Sequence, residues 1–385
     1  MGQHRPGTSQ SQSCHNPRKG LHVNFKRFGR PAVIAIAAGL ALSSCAANEG
    51  AAPAADASAS TLTGTLNGAG SSAMDAAQQA WIAAFQTANT GVTINYEPSG
   101  SGGGREAFIA GGTDFAGSDS YLGTDELAGE FASCVPGTKA VDLPVYISPI
   151  AVIFNVEGVD ELNMDADTLA KIFSGAITTW DDAAIVALNP DATLPAETIN
   201  AVHRSDDSGT TKNFTDYLGQ AAASGLWDEK ASDTFPFGGE GAKGTSGVVD
   251  AVTNGTNMIG YADASQAGTL STAKLMVGDE FVAYTPEAAA EVVVGSPLVA
   301  DRAADDLALD LNRKTTNPAE YPLVLVSYAI VCNEYADAAQ GELVKAYVEF
   351  ISSAEGQAVA EENAGVAPMT SELIDNVAAV LATVK

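Results

Sequence analysis

Short runs in which apolar and polar residues alternate mark the start of the ordered chain, which we expect near Thr61. Each run is followed by a turn of small residues and then by apolar residues at helical spacing. The predicted strands cover residues 61–66, 92–96 and 113–119. Strands that alternate with helices predict a mainly parallel α/β sheet, in which ligands bind at the carboxyl ends of strands. The turns of small residues lie at those ends.

The first predicted helix covers residues 73–88, with Trp81 among the apolar residues of one face. Ser72 is placed to cap its N-terminus. Asp75 follows three positions later, which is the spacing of a capping box.

Two long apolar runs, residues 141–154 and 321–331, have the character of extended connectors. The first contains Pro144 and Pro149, which cannot donate to a sheet and therefore indicate edge or crossing segments. Two such connectors are typical of a chain that leaves one lobe, builds a second and returns.

The first 44 residues differ from the rest in charge. They contain six basic residues and no acidic one, and residues 31–42 form an apolar stretch too short to span a membrane. This pattern predicts a secretory signal over residues 1–44. Cys45 stands where the apolar stretch ends, in a context that resembles a bacterial lipobox. We therefore expect Cys45 to carry a lipid and residues 45–60 to form a flexible tether; the alternative is a plain signal peptide with an incidental Cys.

The remainder of the chain is strongly acidic, with 13 basic residues against 47 acidic ones. Such a body repels nucleic acid and anionic membrane surfaces, so we expect neither as a partner, and we expect membrane contact through the lipid alone. It also repels free anions at long range. An anion site must therefore rely on local donors that are shielded from water.

The four cysteines have different predicted fates. Cys14 is removed with the signal, and Cys45 is the predicted lipidation site. Cys134 and Cys332 remain in a compartment that permits disulfides, and we predict that they form one; the alternative is two buried free thiols. Two cysteines without histidine companions do not indicate a metal site, and we expect neither metal nor cofactor.

The segment from Arg204 onwards has the chemistry of an anion site. Arg204 ends a predicted strand, and the turn Ser208-Gly209-Thr210 precedes apolar residues at helical spacing. A helix N-terminus presents unpaired amides and partial positive charge, hydroxyls add donors, and Arg adds a permanent cation. The alternative for this segment alone is an ordinary capped helix.

Two further turns of the same kind, at Ser71-Ser72 and at residues 101–104, also open predicted helices. Several converging N–H and O–H donors can hold an oxyanion such as phosphate without water, and Arg204 can bind two of its oxygens. The glycines let the backbone approach closely.

Enzyme chemistry is disfavoured. His203 is the one histidine that follows the signal, and no G-x-S-x-G or P-loop motif occurs. The residues from Gly68 to Ala73 fit a loose dinucleotide pattern without the acidic residue that should follow it. We predict that the protein is not an enzyme and that His203 is a strand-end residue.

The ordered set of motifs resembles the phosphate-binding protein of bacterial phosphate ABC importers. The motifs are residues 68–72, 96–104, 114–119, 172–182, 204–210, 241–244 and 259–261. The resemblance covers residues 63 to about 368. It implies an α/β, two-lobed periplasmic-binding-protein fold of mixed sheets flanked by helices, with two connecting strands as the hinge. The predicted lobes are residues 61–145 with 321–385, and residues 146–320.

The resemblance also implies a set of phosphate contacts from both lobes. They are the hydroxyl and amide of Ser72, the amide of Ala73, the hydroxyl of Ser101, and Arg204, Ser208, Gly209 and Thr210 from the second lobe. Asp206 is implied to orient Arg204 and partly neutralise it. The family usually has Thr at position 72 and an aromatic residue at position 73; Ser keeps the hydroxyl, and an amide contact does not need the ring.

Asp119 is implied to face the anion as well. Phosphate near neutral pH keeps a proton that it can donate to a carboxylate, whereas sulfate would place acceptor against acceptor in a dry site. The alternative is that Asp119 caps a helix that begins near Thr124. Asp114 is expected to hold a turn.

We therefore expect an extracytoplasmic, lipid-anchored, monomeric receptor that captures inorganic phosphate by lobe closure and delivers it to an ABC permease. The alternatives are a binding protein for molybdate, tungstate or sulfate, a secreted phosphoesterase, and a surface antigen that keeps the fold without transport.

Overall fold

The computed structural model describes residues 61–385 of the chain. The predicted signal over residues 1–44, the predicted lipidation of Cys45 and the predicted tether over residues 45–60 lie outside the described residues. Within residues 61–385, no helix combines the length and the apolar composition needed to cross a membrane.

Strands and helices alternate through the described residues. The strands are β1 (Thr63–Gly70), β2 (Gly91–Glu97), β3 (Phe115–Ser118), β4 (Ala140–Asn155), β5 (Asn163–Met164), β6 (Asn200–Arg204), β7 (Glu240–Ala242), β8 (Met258–Asp263), β9 (Ser271–Thr272), β10 (Lys274–Val277), β11 (Glu280–Val282) and β12 (Val324–Cys332). The helices are α1 (Asp75–Ala88), α2 (Ser101–Ile109), α3 (Thr124–Ala128), α4 (Ala166–Phe173), α5 (Ala183–Leu188), α6 (Gly209–Ala221), α7 (Gly244–Asn254), α8 (Pro286–Val294), α9 (Ala338–Ser352), α10 (Ala354–Ala364) and α11 (Ser371–Leu381). A short 3-10 helix covers Ala264–Gln266.

The main sheet is mixed. Its strands are hydrogen-bonded in the order β2-β1-β3-β12-β4-β8-β6-β7, and β9 also pairs with β4. Strand β1 is parallel to β2 and β3, and β6 is parallel to β7 and β8. Strands β12 and β4 run antiparallel to their neighbours in the middle of this order. The predicted parallel units are therefore present on either side of two antiparallel connecting strands.

Strand β4 passes from one half of the sheet to the other. Its residues 140–149 pair with β12, and its residues 150–155 pair with β8. Pro144 and Pro149 both lie in the part that pairs with β12, which agrees with the predicted edge or crossing role of this run. The first lobe is therefore built on β1, β2, β3, β12 and the first part of β4, and the second lobe on the rest of β4 with β6, β7 and β8.

The chain returns to the first lobe beside the point where it left. The amide of Ile150 donates to the carbonyl of Leu323 at 2.8 Å, and β12 starts one residue later. Two adjacent crossings form a narrow connection of the kind expected for a hinge. The exact lobe boundaries proposed from the sequence, after residues 145 and 320, stay a prediction.

Apolar side chains fill both lobes and fix the helices that carry polar groups to the sheet edge. In the first lobe, Trp81 of α1 is fully buried and meets Tyr146 edge-on at 6.4 Å. In the second lobe, Phe214 of α6 stacks on Tyr261 of β8 at 4.2 Å. Burial of such rings contributes about 2 kcal/mol or more each, which makes these helices firm supports.

The predicted disulfide is confirmed. Cys134 and Cys332 are bonded across a sequence separation of 198 residues, at the end of β12. The bond joins the two stretches of chain that together make the first lobe.

The predicted start of the first helix is wrong by two residues. Helix α1 begins at Asp75, and the hydroxyl that accepts the amides of Ala73 and Met74 is that of Ser71. The Ser72 hydroxyl instead meets Thr245, which lies 173 residues away. A tertiary contact therefore replaces the predicted local cap.

Candidate functional site

Polar residues converge where three strands end and four helices begin. Strands β1, β3 and β6 end at Gly70, Ser118 and Arg204, and helices α1, α2, α6 and α7 begin close to these ends. Carboxyl ends of parallel strands lie at one sheet edge, so the topology gathers the turns that the sequence singled out. Each helix start adds amides that have no partner within the helix.

Arg204 provides the buried cation of this site. Its side chain is held in a two-pronged ion pair, in which Nε donates to Oδ1 of Asp206 at 2.7 Å and Nη2 to Oδ2 at 2.5 Å. Although burial acts in the opposite direction, the hydrogen bonds and charge of Arg204 hold the pKa of Asp206 below its ordinary value. The amide of Gly244 also donates to Asp206 at 3.0 Å, so the carboxylate that orients the guanidinium is itself held by the start of helix α7.

Asp119 lies in the first lobe immediately after β3 and is buried against the second lobe. Its carboxylate accepts hydrogen bonds from Ser327 at 2.8 Å and from Thr210 of the other lobe at 3.1 Å. Burial raises the pKa of Asp119 above its ordinary value, while hydrogen bonds from Ser71 and Ser327 and the charge of Arg204 act the other way. This carboxyl group is therefore close enough to Arg204 to feel its charge.

The helix-capping alternative for Asp119 is wrong. Helix α3 begins at Thr124, and its first turn is closed by the side chain of Glu126, which accepts the amide of Gly123 at 2.6 Å. Asp114 has a structural role, but it holds strand β1 rather than a turn, because its carboxylate accepts the amide of Asn67 at 2.7 Å.

The start of helix α6 faces the first lobe at very short range. Ser208 is its N-cap and accepts the amide of Thr211 at 3.2 Å. Any side chain at Gly209 would collide with the first lobe, because a Cβ there would lie 2.7 Å from both Cβ of Asp119 and Oγ of Ser101. The glycine therefore lets the first amides of α6 approach the first lobe directly.

The start of helix α2 makes the matching approach from the first lobe. The hydroxyl of Ser101 accepts the amide of Asp119 at 3.1 Å, and the amide of Gly102 donates to the carbonyl of Asp207 at 3.0 Å. A Cβ at Gly102 would lie 2.5 Å from Cβ of Asp207. Glycines at the two helix starts therefore let the lobes approach each other closely.

Ser72 and Ala73 complete the first lobe's side of the site. The Ser72 hydroxyl accepts the amide of Thr245 at 3.0 Å, and the amide of Ala73 donates to Ser71 at 3.1 Å. Gln266 of the second lobe donates to the carbonyls of Ser72 and Ala73 at 2.8 and 3.1 Å, which sets the orientation of this turn.

The structure brings the predicted site residues together in one buried interface between the lobes. The buried residues are Ser72, Ala73, Ser101, Asp119, Arg204, Ser208, Gly209 and Thr210. His203 lies in β6 as expected, and its ring stacks on that of Phe235 with the ring centroids 4.5 Å apart. Within residues 61–385, no cluster of side chains has the composition of a metal site.

Sequence reasoning missed the contribution of helix α7. Gly244 and Thr245 at its start contact Asp206 and Ser72, yet neither was among the predicted site residues. The signal was available, since a glycine followed by hydroxyl residues before an apolar helical run is the pattern of the other three turns. Gln266 left no such signal, because its contacts join residues 194 and 193 positions apart in the sequence.

This arrangement suits a small oxyanion that carries a proton. Helix starts, hydroxyls and one guanidinium supply donors, and the carboxylate of Asp119 supplies an acceptor in the same buried space. Because Asp206 neutralises Arg204 in part, most of the stabilisation of an anion must come from hydrogen bonds and helix dipoles.

Comparison with known proteins gives a consistent result. A model of the PBP superfamily domain matches residues 54–355. The Phosphate-binding protein PstS 3 of Mycobacterium tuberculosis is 40% identical over 341 residues, which cover 85% of this chain and 91% of that protein. The protein of the same name from Mycobacterium leprae is 41% identical over 292 residues, 74% of this chain and 78% of that protein. A solved structure of a high affinity periplasmic phosphate-binding protein bound with phosphate has a TM-score of 0.67 at 24% identity, over 82% of this chain and 93% of that chain, and shows the same fold.

Proposed function

The chain belongs to the PBP superfamily and, within it, to the family of the PstS phosphate-binding proteins. On that premise, we propose that it binds inorganic phosphate outside the cytoplasm and delivers it to an ABC-type importer. Capture is by closure of the two lobes over a desolvated anion. The relatives named above are binding proteins, and the proposed role is binding and release without chemical conversion.

One observation carries this proposal: a buried carboxylate, Asp119, shares its surroundings with Arg204 and the start of helix α6. A fully ionised anion such as sulfate would face Asp119 acceptor to acceptor. Phosphate keeps a proton near neutral pH and can donate it to that carboxylate. Among common oxyanions, the geometry therefore favours phosphate.

The proposed phosphate contacts come from both lobes. The first lobe supplies Ser72, Ala73, Ser101 and Asp119, and the second lobe supplies Arg204, Ser208, Gly209 and Thr210. Asp206 orients Arg204, which agrees with the two hydrogen bonds between them.

The proposed cellular setting follows from the sequence before residue 61. Residues 1–44 act as an export signal, Cys45 receives a lipid, and residues 45–60 tether the binding lobes to the outer face of the cell membrane. We propose that the receptor works as a monomer, and one chain contributes every group of the proposed site, so binding needs no second copy.

Isothermal titration of the purified protein tests the proposal. Phosphate should bind with one site per chain, while sulfate and molybdate should give negligible heat under the same conditions. Equal affinities for phosphate and sulfate, or absence of phosphate binding, would remove the assignment. A chromogenic phosphate ester added in parallel tests the alternative of a phosphoesterase, which predicts release of product.

A further inference from the structure

Thr245 lies at the point where the two lobes touch beside the proposed phosphate site. It is the second residue of α7, is 1% exposed, and belongs to the second lobe. Its amide donates to Oγ of Ser72 at 3.0 Å, and its own Oγ1 lies 3.1 Å from the same atom. On the other side, Nη1 of Arg204 donates to Oγ1 of Thr245 at 3.5 Å.

The hydrogen-bonding capacity of the two hydroxyls determines what they offer to a ligand. Each hydroxyl has one proton and two lone pairs. If Thr245 donates to Ser72, then Ser72 has accepted twice and its own proton is free. If Ser72 donates to Thr245, then Thr245 has accepted from Ser72 and Arg204, and its proton is free instead. In both cases the pair retains one proton that it can direct at an anion.

The backbone before Thr245 is shaped for this contact. Gly244 has a φ of +73°, a left-handed conformation that favours glycine, whereas the space itself would admit a Cβ, which would lie 3.8 Å from Oγ of Ser72. The amide of Gly244 donates to Asp206, so the same dipeptide also supports the ion pair of Arg204. Helix α7 is therefore positioned against both lobes by two consecutive residues.

We propose that Thr245 is a positioning residue of the phosphate site that acts only after the lobes have closed. Its hydroxyl links Arg204 of the second lobe to Ser72 of the first and turns one hydroxyl proton towards the bound anion. This inference rests on the proposed function. It predicts that Thr245 slows release of phosphate without contributing to capture by the open form.

Stopped-flow measurement of phosphate association and dissociation tests this role with three single variants. Thr245→Val removes the hydroxyl and keeps the shape and the amide, so we expect dissociation to be about three- to tenfold faster, with association within about twofold of wild type. Thr245→Ser should restore slow dissociation. The matched control is Thr253→Val, which changes an exposed threonine of the same helix and should dissociate as wild type does.

Ser72→Ala removes the same contact from the first lobe and leaves Thr245 in place, so its own faster dissociation tests the contact even where Thr245→Val does not fold. In a Ser72→Ala background, Thr245→Val should accelerate dissociation much less than in wild type, since its partner is already gone. Three results would overturn the role of Thr245. Thr245→Val could release phosphate at the wild-type rate, or its association could slow as much as its dissociation accelerates. The effects of Thr245→Val and Ser72→Ala on the dissociation rate could also simply add. Absence of phosphate binding by the wild-type protein would instead overturn the proposed function itself.

Discussion

At the scale of single residues, the proposed site depends on which groups hold protons rather than on net charge. The charge of Arg204 is partly balanced by Asp206, and Asp119 adds a further acid to the same interface. An anion without a proton has no donor for the carboxylate of Asp119, so two groups of acceptor oxygens would face each other. A protonated anion satisfies that carboxylate and keeps the remaining donors for its other oxygens.

Asp119→Asn should narrow the difference in affinity between phosphate and sulfate, because an amide can donate to either anion. We expect the ratio of the two affinities to fall by about tenfold or more, measured by calorimetric titration. Asp114→Asn is the control, because that side chain holds the amide of Asn67 outside the site.

Asp119 also determines whether sulfate binding strengthens or weakens as the pH changes. Since burial raises the pKa of Asp119, its carboxyl gains a proton at a higher pH than a free Asp would, and sulfate should compete better as the pH falls. An unchanged affinity ratio in Asp119→Asn would show that this carboxyl does not select the ligand.

Gly209→Ala should prevent full closure while leaving each lobe folded. A Cβ at this position would lie 2.7 Å from Cβ of Asp119 in the opposite lobe, so phosphate binding should weaken by more than about tenfold in calorimetric titration. Gly219→Ala in the same helix is the control, because the atoms nearest to a Cβ at that position would be 3.7 Å away. Wild-type affinity in Gly209→Ala would mean that the lobes need not approach this closely.

At the scale of elements, the loop between α6 and β7 fastens the second lobe to the first. The carboxylate of Asp233 in this loop accepts from Ser120 at 2.6 Å and from Arg105 at 2.9 Å, and both donors belong to the first lobe. Its carbonyl accepts the amide of Ser208 at 2.9 Å. One loop residue therefore connects the contact between the lobes to the N-cap of helix α6, whose start lies in the proposed site.

Asp233→Asn should weaken closure, because it leaves the buried guanidinium of Arg105 with fewer acidic partners than before. We expect phosphate affinity to fall by about three- to tenfold, and small-angle scattering should show a smaller compaction on addition of phosphate. Asp228→Asn, an exposed change in the same loop, should behave as wild type. Equal compaction in both variants would mean that the ion pair between Asp233 and Arg105 does not stabilise the closed form.

The same contacts show what the sequence was able to predict. The strands and the turns at their ends follow from local pattern, because the period of apolar residues and the placement of glycines are visible within a few residues. The Arg204–Asp206 pair was implied by the family resemblance. The role of Ser72 was predicted wrongly as a local cap, since its hydroxyl contacts Thr245 of the second lobe instead. Thr245 stands in a recognisable turn, but its partner Ser72 lies more than a hundred residues away, as do the first-lobe partners of Gln266 and Asp233, and no local pattern reports such contacts.

At the scale of the whole molecule, two crossings join the lobes, and a buried acid lies beside them. Asp263 ends β8, pairs in register with Ile150 where β4 enters the second lobe, and is fully buried. Its Oδ1 accepts from Tyr146 at 3.0 Å and from the amide of Ser265 at 2.9 Å, whereas its Oδ2 has no hydrogen-bond partner in the described structure. The ionisable groups that face it are Tyr146 and Tyr284, whose own pKa values are raised by burial.

Burial raises the pKa of Asp263 from 3.8 to about 7, so stability should depend on pH with a definite sign. The folded state binds this proton more tightly than the unfolded state, and stability is therefore lost as the pH rises through the interval between those two values. Asp263→Asn cannot ionise and should escape the loss. The difference in thermal midpoint between Asp263→Asn and wild type should thus shift in favour of the variant from pH 5 to pH 8, measured by calorimetry without ligand. The other buried acids are present in both proteins and cancel in this difference, so a gap that stays constant with pH would mean that Asp263 does not titrate in the folded state over this range.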